Sequence, residues 1–452
     1  MKRWIWLMLA MLLLLSACNT NGAVLGMQES LLQAPLLNEQ QQQLNEAMGM
    51  TMDLADVVYQ YPQTGAYRAP FVLFDMDGDL GQEAIVFYAL ASAPGELRAK
   101  FMRQDEPGVW RAIYDMPGYG NQVGFVHFVS LDNGSSCMVI GWENTVLPQR
   151  SELGVYYLQG DTLVQETYQG YSAYATHDFS GNGVSDLIFS AGGRNGYTLY
   201  WLRAGYDRLT EVGSVPLYRG DYGTVTGILQ TVPGILWDQT PAIYIDEVLE
   251  DADTSFVTYA TEVIRLEDNR LSAVVGGTQN QLAQRANYRA TFRDARVLSA
   301  DLLGDGQVSI PRIENLPDTV DRAEEIETPQ IIHYMRLTPQ GFESYRTAMI
   351  NESAGYRVYF PERWIGQVTM AAYPETSEWR FYLATPDVEQ RGAELFRVRV
   401  YSTRDYSEDI FTEDDILLGT KGIFRYYGYI PENEDEPLAI TREEAMEMFS
   451  FI

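Results

Sequence analysis

An acidic loop between two apolar runs, in FVLFDMDGDLGQEAIVFYAL (71–90), most limits how this chain can fold. Carboxylates fall at relative positions 1, 3, 5 and 9 of the loop: Asp75, Asp77, Asp79 and Glu83. The flanking runs are short and rich in Val, Ile and Phe, which is typical of buried strands. The segment therefore predicts two strands joined by an acidic turn.

This spacing returns further along the chain. The clearest copy is HDFSGNGVSDLIFSAG, with oxygen-bearing side chains at the same four positions: Asp178, Ser180, Asn182 and Asp186. A weaker copy, SADLLGDGQVSIPRI, retains positions 1, 5 and 9: Asp301, Asp305 and Ser309. The segment SLDNGSSCMVIGW retains little beyond Asp132. An apolar run follows each loop, so the unit is a repeated hairpin.

A period near 50 residues with about four strands in each period predicts a β-propeller. We expect about five to six blades between residues 66 and 346, with a degenerate copy around GTVTGILQTVPGILW (223–237). The possible sixth blade lies between Leu271 and Val297. A Greek-key sandwich is the structural alternative, but it offers no reason for a recurring acidic loop.

The pattern changes at about Asn351. Strand-like runs follow at YRVYF, QVTMAAY, EWRFYLAT, LFRVRVYS and GIFRYYGYI. A helix is expected from Thr441, because Thr441 and Glu444 have the spacing of a capping box. Residues 350–452 are therefore expected to form a small α+β domain after the propeller.

The motifs D-x-D-G-D-x-x-x-E at 75–83 and D-x-S-G-N-x-x-x-D at 178–186 resemble the calcium loops of FG-GAP/VCBS-type propeller repeats. The resemblance covers roughly residues 66–346, although the FG-GAP tripeptides themselves are absent. It implies that each acidic loop joins the first two strands of a blade. It also implies a structural calcium ion at the better-preserved loops.

The residue types fit that chemistry, since calcium takes six to eight oxygen ligands from carboxylates, carbonyls and water. In the first loop Gly81, at position 7, could add a backbone carbonyl to the four carboxylates. The second loop is expected to bind more weakly because Ser180 and Asn182 replace charged ligands. The third has Leu303 where a ligand oxygen should lie. The alternative is that these loops are Asx-type turns that hold no metal.

The first residues, MKRWIWLMLAMLLLLSAC (1–18), read as a leader peptide: a basic start, a short apolar segment and small residues before Cys18. The end of this segment resembles the lipobox of bacterial lipoproteins, which implies lipidation of Cys18 and removal of residues 1–17. An uncleaved N-terminal anchor is the alternative. Either way we expect attachment to the outer face of a bacterial cell membrane. Residues 18–65 would form a tether and a short helical segment, NEQQQQLNEAM.

The composition limits the partners. The formal net charge of −30 disfavours nucleic acid and anionic lipid, and it attracts cations. With Cys18 lipidated, Cys137 has no partner for an intrachain disulfide and is expected to be a buried, inert thiol. The three histidines, His127, His177 and His333, are expected on separate blades. Motifs such as HExxH, GxSxG, CxxC and the phosphate loop are absent from the sequence.

The sequence therefore favours a non-enzymatic, membrane-anchored lipoprotein that binds an extracellular protein, peptide or glycan. Three aromatic clusters are candidate contacts: Tyr114 with Tyr119, Tyr171 with Tyr174, and Tyr197 with Tyr200 and Trp201. The alternative is a surface polysaccharide hydrolase, whose two catalytic carboxylates would be recognised only in space. No catalytic residue can be named from the sequence.

Overall fold

The computed structural model describes residues 38–193, 196–250, 256–277, 282–317, 330–385, 391–404, 414–432 and 436–452. Within these ranges six antiparallel sheets follow one another along the chain, which confirms the prediction of a mainly β fold. Contacts divide the chain into two units. The first takes in the described residues up to Tyr61 with Arg68–Asp75 and Asp79–Gly118. The second holds Pro62–Tyr67, Met76–Gly78 and the described residues from Tyr119 onward.

The first unit pairs a helix with the first sheet. Its elements are α1 (Glu39–Gly49), β1 (Val57–Tyr59), β2 (Phe71–Phe74), β3 (Glu83–Leu90), β4 (Ala93–Glu106) and β5 (Val109–Pro117). The expected short helix is confirmed: Asn38 closes a capping box with Gln41, and Leu44 and Met48 are fully buried. Strand β3 lies inside the sheet, between β1, β2 and β4. Its residues after Glu83 are accordingly apolar or aromatic, and all of the strand except Leu90 is buried.

The second unit begins with three sheets of four strands, each ordered as in the chain. The second sheet contains β6 (Gln122–Ser130), β7 (Ser136–Glu143), β8 (Glu152–Gln159) and β9 (Thr162–Gln169). The third contains β10 (Tyr171–His177), β11 (Asp186–Gly193), β12 (Gly196–Ala204) and β13 (Leu209–Pro216). The fourth contains β14 (Thr224–Ile235), β15 (Pro241–Glu250), β16 (Val257–Glu267) and β17 (Arg270–Val275). Four strands in about 50 residues is the period that the sequence predicts.

The expectation of a sixth blade between Leu271 and Val297 is wrong. Strand β17 completes the fourth sheet there, and α2 (Leu282–Ala290) follows it. The segment LAQRANYRA is rich in helix-forming residues, and Tyr288 on α2 is fully buried in the core that includes the fourth sheet. The sixth sheet lies later in the chain.

The fifth sheet contains β18 (Ile310–Asn315), β19 (Gln330–Thr338), β20 (Gly341–Asn351), β21 (Tyr356–Tyr359) and β27 (Phe449–Phe451). The sixth contains β22 (Val368–Tyr373), β23 (Glu378–Leu383), β24 (Glu394–Ser402), β25 (Ile416–Lys421) and β26 (Phe424–Tyr429). The five strand-like runs predicted after Asn351 are confirmed. Helix α3 (Arg442–Met448) begins with the predicted capping box between Thr441 and Glu444.

The structure differs from the expected α+β domain in how residues 350–452 are connected. Strand β20 runs through the expected boundary, and β27 pairs with β21 in the sheet that begins at Ile310. Val358 lies opposite Phe449 in that pairing. Residues of the expected C-terminal domain are therefore part of the fifth sheet, which also contains residues of the expected propeller.

Candidate metal loops and a candidate binding groove

The three best copies of the acidic loop share one backbone geometry. The N–H at position 6 donates to the carboxylate at position 1: Leu80 to Asp75 at 3.0 Å, Gly183 to Asp178 at 2.7 Å, and Gly306 to Asp301 at 2.8 Å. The N–H at position 7 donates to the side chain at position 5: Gly81 to Asp79, Val184 to Asn182, and Gln307 to Asp305. The Asx turns that the sequence left as an alternative to metal binding are thus present in all three.

Positions 4 and 6 of each loop have a left-handed backbone. Glycine supplies it at five of these six positions: Gly78, Gly181, Gly183, Gly304 and Gly306. Leu80 is the exception, with φ of 69° and a side chain that is 92% exposed. A left-handed backbone is unfavourable for leucine, so the first loop keeps the shared geometry at a cost in strain.

Carboxylates are concentrated in the first loop. One oxygen from each of Asp75, Asp77 and Glu83 lies within 4.8 Å of the others, the only such acidic group among the described residues. Asp79 lies outside this group; its Oδ1 accepts the Gly81 N–H at 2.6 Å. Glu83 is buried, and its Oε1 lies 3.0 Å from Nε of Arg103 on β4. One of the four carboxylates is therefore already paired with a cation of the chain.

The two carboxylates of the second loop have different partners. Asp178 accepts the N–H groups of Gly183 and Asn182. The Gly183 N–H is the largest influence that lowers the pKa of Asp178 below its usual range. Asp186 is 1% exposed and lies 3.4 Å from Nε of Arg203 on β12. Burial raises the pKa of Asp186, and the Arg203 guanidinium opposes that effect.

The third loop is held in a similar way. Asp301 accepts the N–H groups of four successive residues: Leu303, Gly304, Asp305 and Gly306. Asp305 Oδ2 lies 2.9 Å from Nη2 of Arg336 on β19. Desolvation opposes this pair, but the Gln307 N–H and the Arg336 guanidinium outweigh it and lower the pKa of Asp305. Ser309 is buried and pairs with Ala300 through the backbone.

The residues present fit calcium unequally. The first loop can offer Asp75, Asp77, Glu83 and the carbonyl of Gly81 to one hard cation, which is a plausible part of a calcium shell. Among the described residues only the first loop brings three acidic side chains within 4.8 Å of one another. The second and third loops therefore lack the converging carboxylates that the first loop can offer to calcium.

The remaining candidates from the sequence lie in separate places. His127, His177 and His333 are on three different sheets, as predicted. Cys137 is fully buried, and burial raises the pKa of its thiol to about 12, so it is the inert thiol that was expected. Tyr171 and Trp201 are core residues, whereas Tyr114 and Tyr119 are exposed. Cys18 and residues 1–37 lie outside the described residues. No described helix has the length and apolar character needed to span a membrane.

Two fully buried glutamates on the fourth sheet were missed by the sequence analysis. Tyr288 donates a hydrogen bond to Glu247, and Glu262 accepts the N–H groups of Tyr218 and Gly277. Burial raises the pKa of Glu262 to about 8. Both side chains are 0% exposed, so a polymeric substrate has no access to them and we assign them to the packing beneath α2.

A surface groove in the second unit was also missed. It has a volume of about 640 Å³ and is formed by residues 344–347 and 359–362, by Ile365, and by Glu444, Glu447 and Met448 of α3. Two tyrosines line it: Tyr345, which Arg336 overlies at 3.9 Å from the ring centroid, and Tyr359, which Arg346 overlies at 4.6 Å. Such a groove is assembled from distant parts of the sequence, and it leaves no local motif.

The charged side chains of the groove differ in how they are paired. Glu444 caps α3 and contacts Arg363 Nη2, which together outweigh desolvation and lower the pKa of Glu444. By contrast, the side chains of Arg346, Glu362 and Glu447 make no hydrogen bond or ion pair with any other described residue. Three charged groups are therefore available to a ligand beside the two aromatic rings.

Comparisons with known proteins were made for the whole chain. No protein-family model and no curated protein matches it. Similar solved structures include the rhamnogalacturonan lyase PL11 of Bacillus licheniformis, with 10% identity, TM-score 0.30, and coverage of 72% of this chain and 74% of that one. The periplasmic gluconolactonase of Pseudomonas aeruginosa has 13% identity, TM-score 0.26, and coverage of 76% and 89%.

A third similar structure is a GH43 β-1,3-galactosidase, with 9% identity, TM-score 0.24, and coverage of 74% of this chain and 66% of that one. All three TM-scores are low. They establish neither a common fold nor a common activity for this chain.

Proposed function

We propose that this protein is a lipid-anchored, extracytoplasmic binding protein whose ligand occupies the groove around Tyr345 and Tyr359. In this proposal Cys18 carries the lipid, and the six sheets are blades of a β-propeller related to FG-GAP/VCBS repeats. The four-stranded meanders and the recurring loop support the propeller. The leader sequence supports the anchor.

The observation that carries the proposal is the combination of open volume, aromatic rings and available charges in the groove. Tyrosines contribute rigid, amphipathic contact area, which is common at recognition sites. Arg346, Glu362 and Glu447 could each form a charge-assisted hydrogen bond with a peptide or a glycan. Glu362 and Glu447 together with the single Arg346 give these three available side chains a net negative charge.

A binding screen against glycan and peptide arrays tests the proposal. We expect wild-type protein to retain at least one ligand without turnover, and Tyr345→Ala to weaken binding at least tenfold. Tyr114→Ala is the matched control, because Tyr114 is also an exposed tyrosine but lies in the first unit. Equal binding by Tyr345→Ala and wild type would place the ligand elsewhere.

We also propose a structural calcium ion at the first loop, held by Asp75, Asp77, Glu83 and Gly81. The proximity of three carboxylates supports it, because unshielded carboxylates this close repel one another. When bound, the ion would neutralise the loop and join β2 to β3.

A surface hydrolase is the second candidate function. The observation that favours it is the presence of Glu362 and Glu447 in the same groove, since glycosidases act through two carboxyl groups flanking the substrate bond. Release of reducing ends from a bound polysaccharide, abolished separately by Glu362→Gln and Glu447→Gln, would establish the enzyme and reject a purely binding role.

A further inference from the structure

The feature that carries this inference is an arginine that occurs at a similar place in five of the six sheets. In each of these sheets one strand follows the acidic loop or turn, and the arginine lies on the next strand along the chain. The arginine pairs with an acidic residue in that loop or turn, or at the start of the strand that follows it. The pairs are Glu83–Arg103, Asp186–Arg203, Asp238–Arg265, Asp305–Arg336 and Glu378–Arg399.

Strand register explains why the pairs recur. Glu83 lies directly opposite Arg103, and Glu378 lies directly opposite Arg399. In the third sheet Leu187 lies opposite Leu202, which places Asp186 beside Arg203. A guanidinium at this place reaches the beginning of the preceding strand, where the loop ends. The position is therefore a property of the repeated hairpin and not of one sheet.

Burial makes the pairing necessary in three of these sheets. The acidic side chains of Glu83, Asp186 and Glu378 are exposed by 4%, 1% and 0%. A buried carboxylate without a partner is strongly unfavourable, so each needs a nearby positive charge. The arginines are 18–32% exposed in these pairs and keep part of their hydration.

The second sheet shows what happens without an acid at this place. Ser136 begins β7, and the register that sets Met138 opposite Tyr156 sets Ser136 opposite Leu158. The acidic residue and the arginine are both replaced by uncharged residues. In the fourth and fifth sheets Asp238 and Asp305 lie in the turn before the strand, and the arginine reaches that turn instead. In each of the five sheets the arginine therefore faces a carboxylate.

We propose that the arginines of the third to sixth sheets provide the positive charge that calcium provides in metal-binding propeller loops, so that these sheets do not depend on calcium. On this proposal the loop at 178–186 binds no calcium, although its resemblance to FG-GAP/VCBS loops implies a calcium site. It confines any calcium dependence to the first loop, where Asp75 and Asp77 add charge that Arg103 alone does not balance.

Thermal unfolding in 5 mM CaCl2 and in 5 mM EGTA tests this, with Asp77→Ala as the background so that the first loop does not contribute. We expect the same melting temperature in both conditions. Adding Arg203→Met should lower it by several degrees, and Arg208→Met is the matched control, since Arg208 pairs with Asp207 on the surface. A calcium-dependent shift in Asp77→Ala that disappears with Asp178→Ala would overturn the proposal.

The double variant Asp186→Asn with Arg203→Met covers the case in which Arg203→Met alone fails to fold. Removing both charges leaves no buried carboxylate, so we expect it to melt above Arg203→Met alone. The Arg203 guanidinium also lies over the Trp201 ring, 4.9 Å from its centroid. If the double variant is no more stable than the single one, Arg203 acts through this contact and the charge proposal is wrong.

Discussion

The loops at 75–83 and 178–186 have the same backbone and different charges. Both bend through left-handed residues at positions 4 and 6, and both donate the position-6 N–H to the first aspartate. The first carries four carboxylates against Arg103, whereas the second carries two against Arg203. Glycines and Asx turns therefore shape both loops, and in our proposal the balance of carboxylates and arginine decides whether a loop needs a metal ion.

The largest effect should come from removing the arginine of the first loop. Arg103→Met would remove the guanidinium that faces the buried Glu83 beside Asp75 and Asp77, and breaking a buried ion pair costs about 3–5 kcal/mol. Urea unfolding measures the loss. Millimolar calcium should restore more stability to Arg103→Met than to Arg203→Met, because only the first loop has three converging carboxylates. Equal rescue of the two variants would contradict the difference between the loops.

Chelation should have the next largest effect. A site filled at a hundred times its dissociation constant stabilises the folded state by about 2.7 kcal/mol, so EGTA should lower the melting temperature of the wild-type protein. Asp77→Ala should remove most of this sensitivity, and Asp178→Ala should retain it. A wild-type melt that does not respond to EGTA would exclude calcium from the first loop.

Backbone strain should give smaller effects of opposite sign in the two loops. Leu80→Gly relieves the left-handed leucine and should stabilise by up to about 1 kcal/mol, since the exposed side chain loses little packing. Gly183→Ala, at the same position of the second loop, should destabilise by about 1 kcal/mol. The site around Gly183 is open, so a clash does not complicate that result. Chemical denaturation resolves both changes.

The smallest effect should be the pH dependence of Asp178. Its pKa is lowered in the folded state, so its contribution is complete above the unfolded pKa of about 3.9 and is lost as pH falls through the folded pKa. Wild type and Asp178→Asn should therefore differ in stability at pH 6, and the difference should disappear as pH falls through the folded pKa of Asp178. A constant difference across this range would mean that the carboxylate charge is not what the loop uses.

Most of the features that could be predicted from the sequence depend on local patterns of residues. The spacing of Asp178, Ser180 and Asn182 identified a turn between strands because it depends on neighbouring residues only. The boundary expected near residue 350 failed to mark a change of sheet, because the β21–β27 pairing joins residues about 90 positions apart. The arginine partners were not predicted for a similar reason. Recognising Arg203 as the partner of Asp186 requires knowledge of the register between β11 and β12, which the sequence does not give.

The pairing of β27 with β21 has a consequence for the order of folding. The entire sixth sheet lies in the chain between these two strands, as an insertion within the fifth sheet. Closing a loop this long carries an entropic penalty, and such contacts form late unless the intervening segment has already collapsed. Until then β21 presents an open edge, to which a strand of another molecule could add. The sixth sheet thus acts as a spacer whose own folding brings the two strands together.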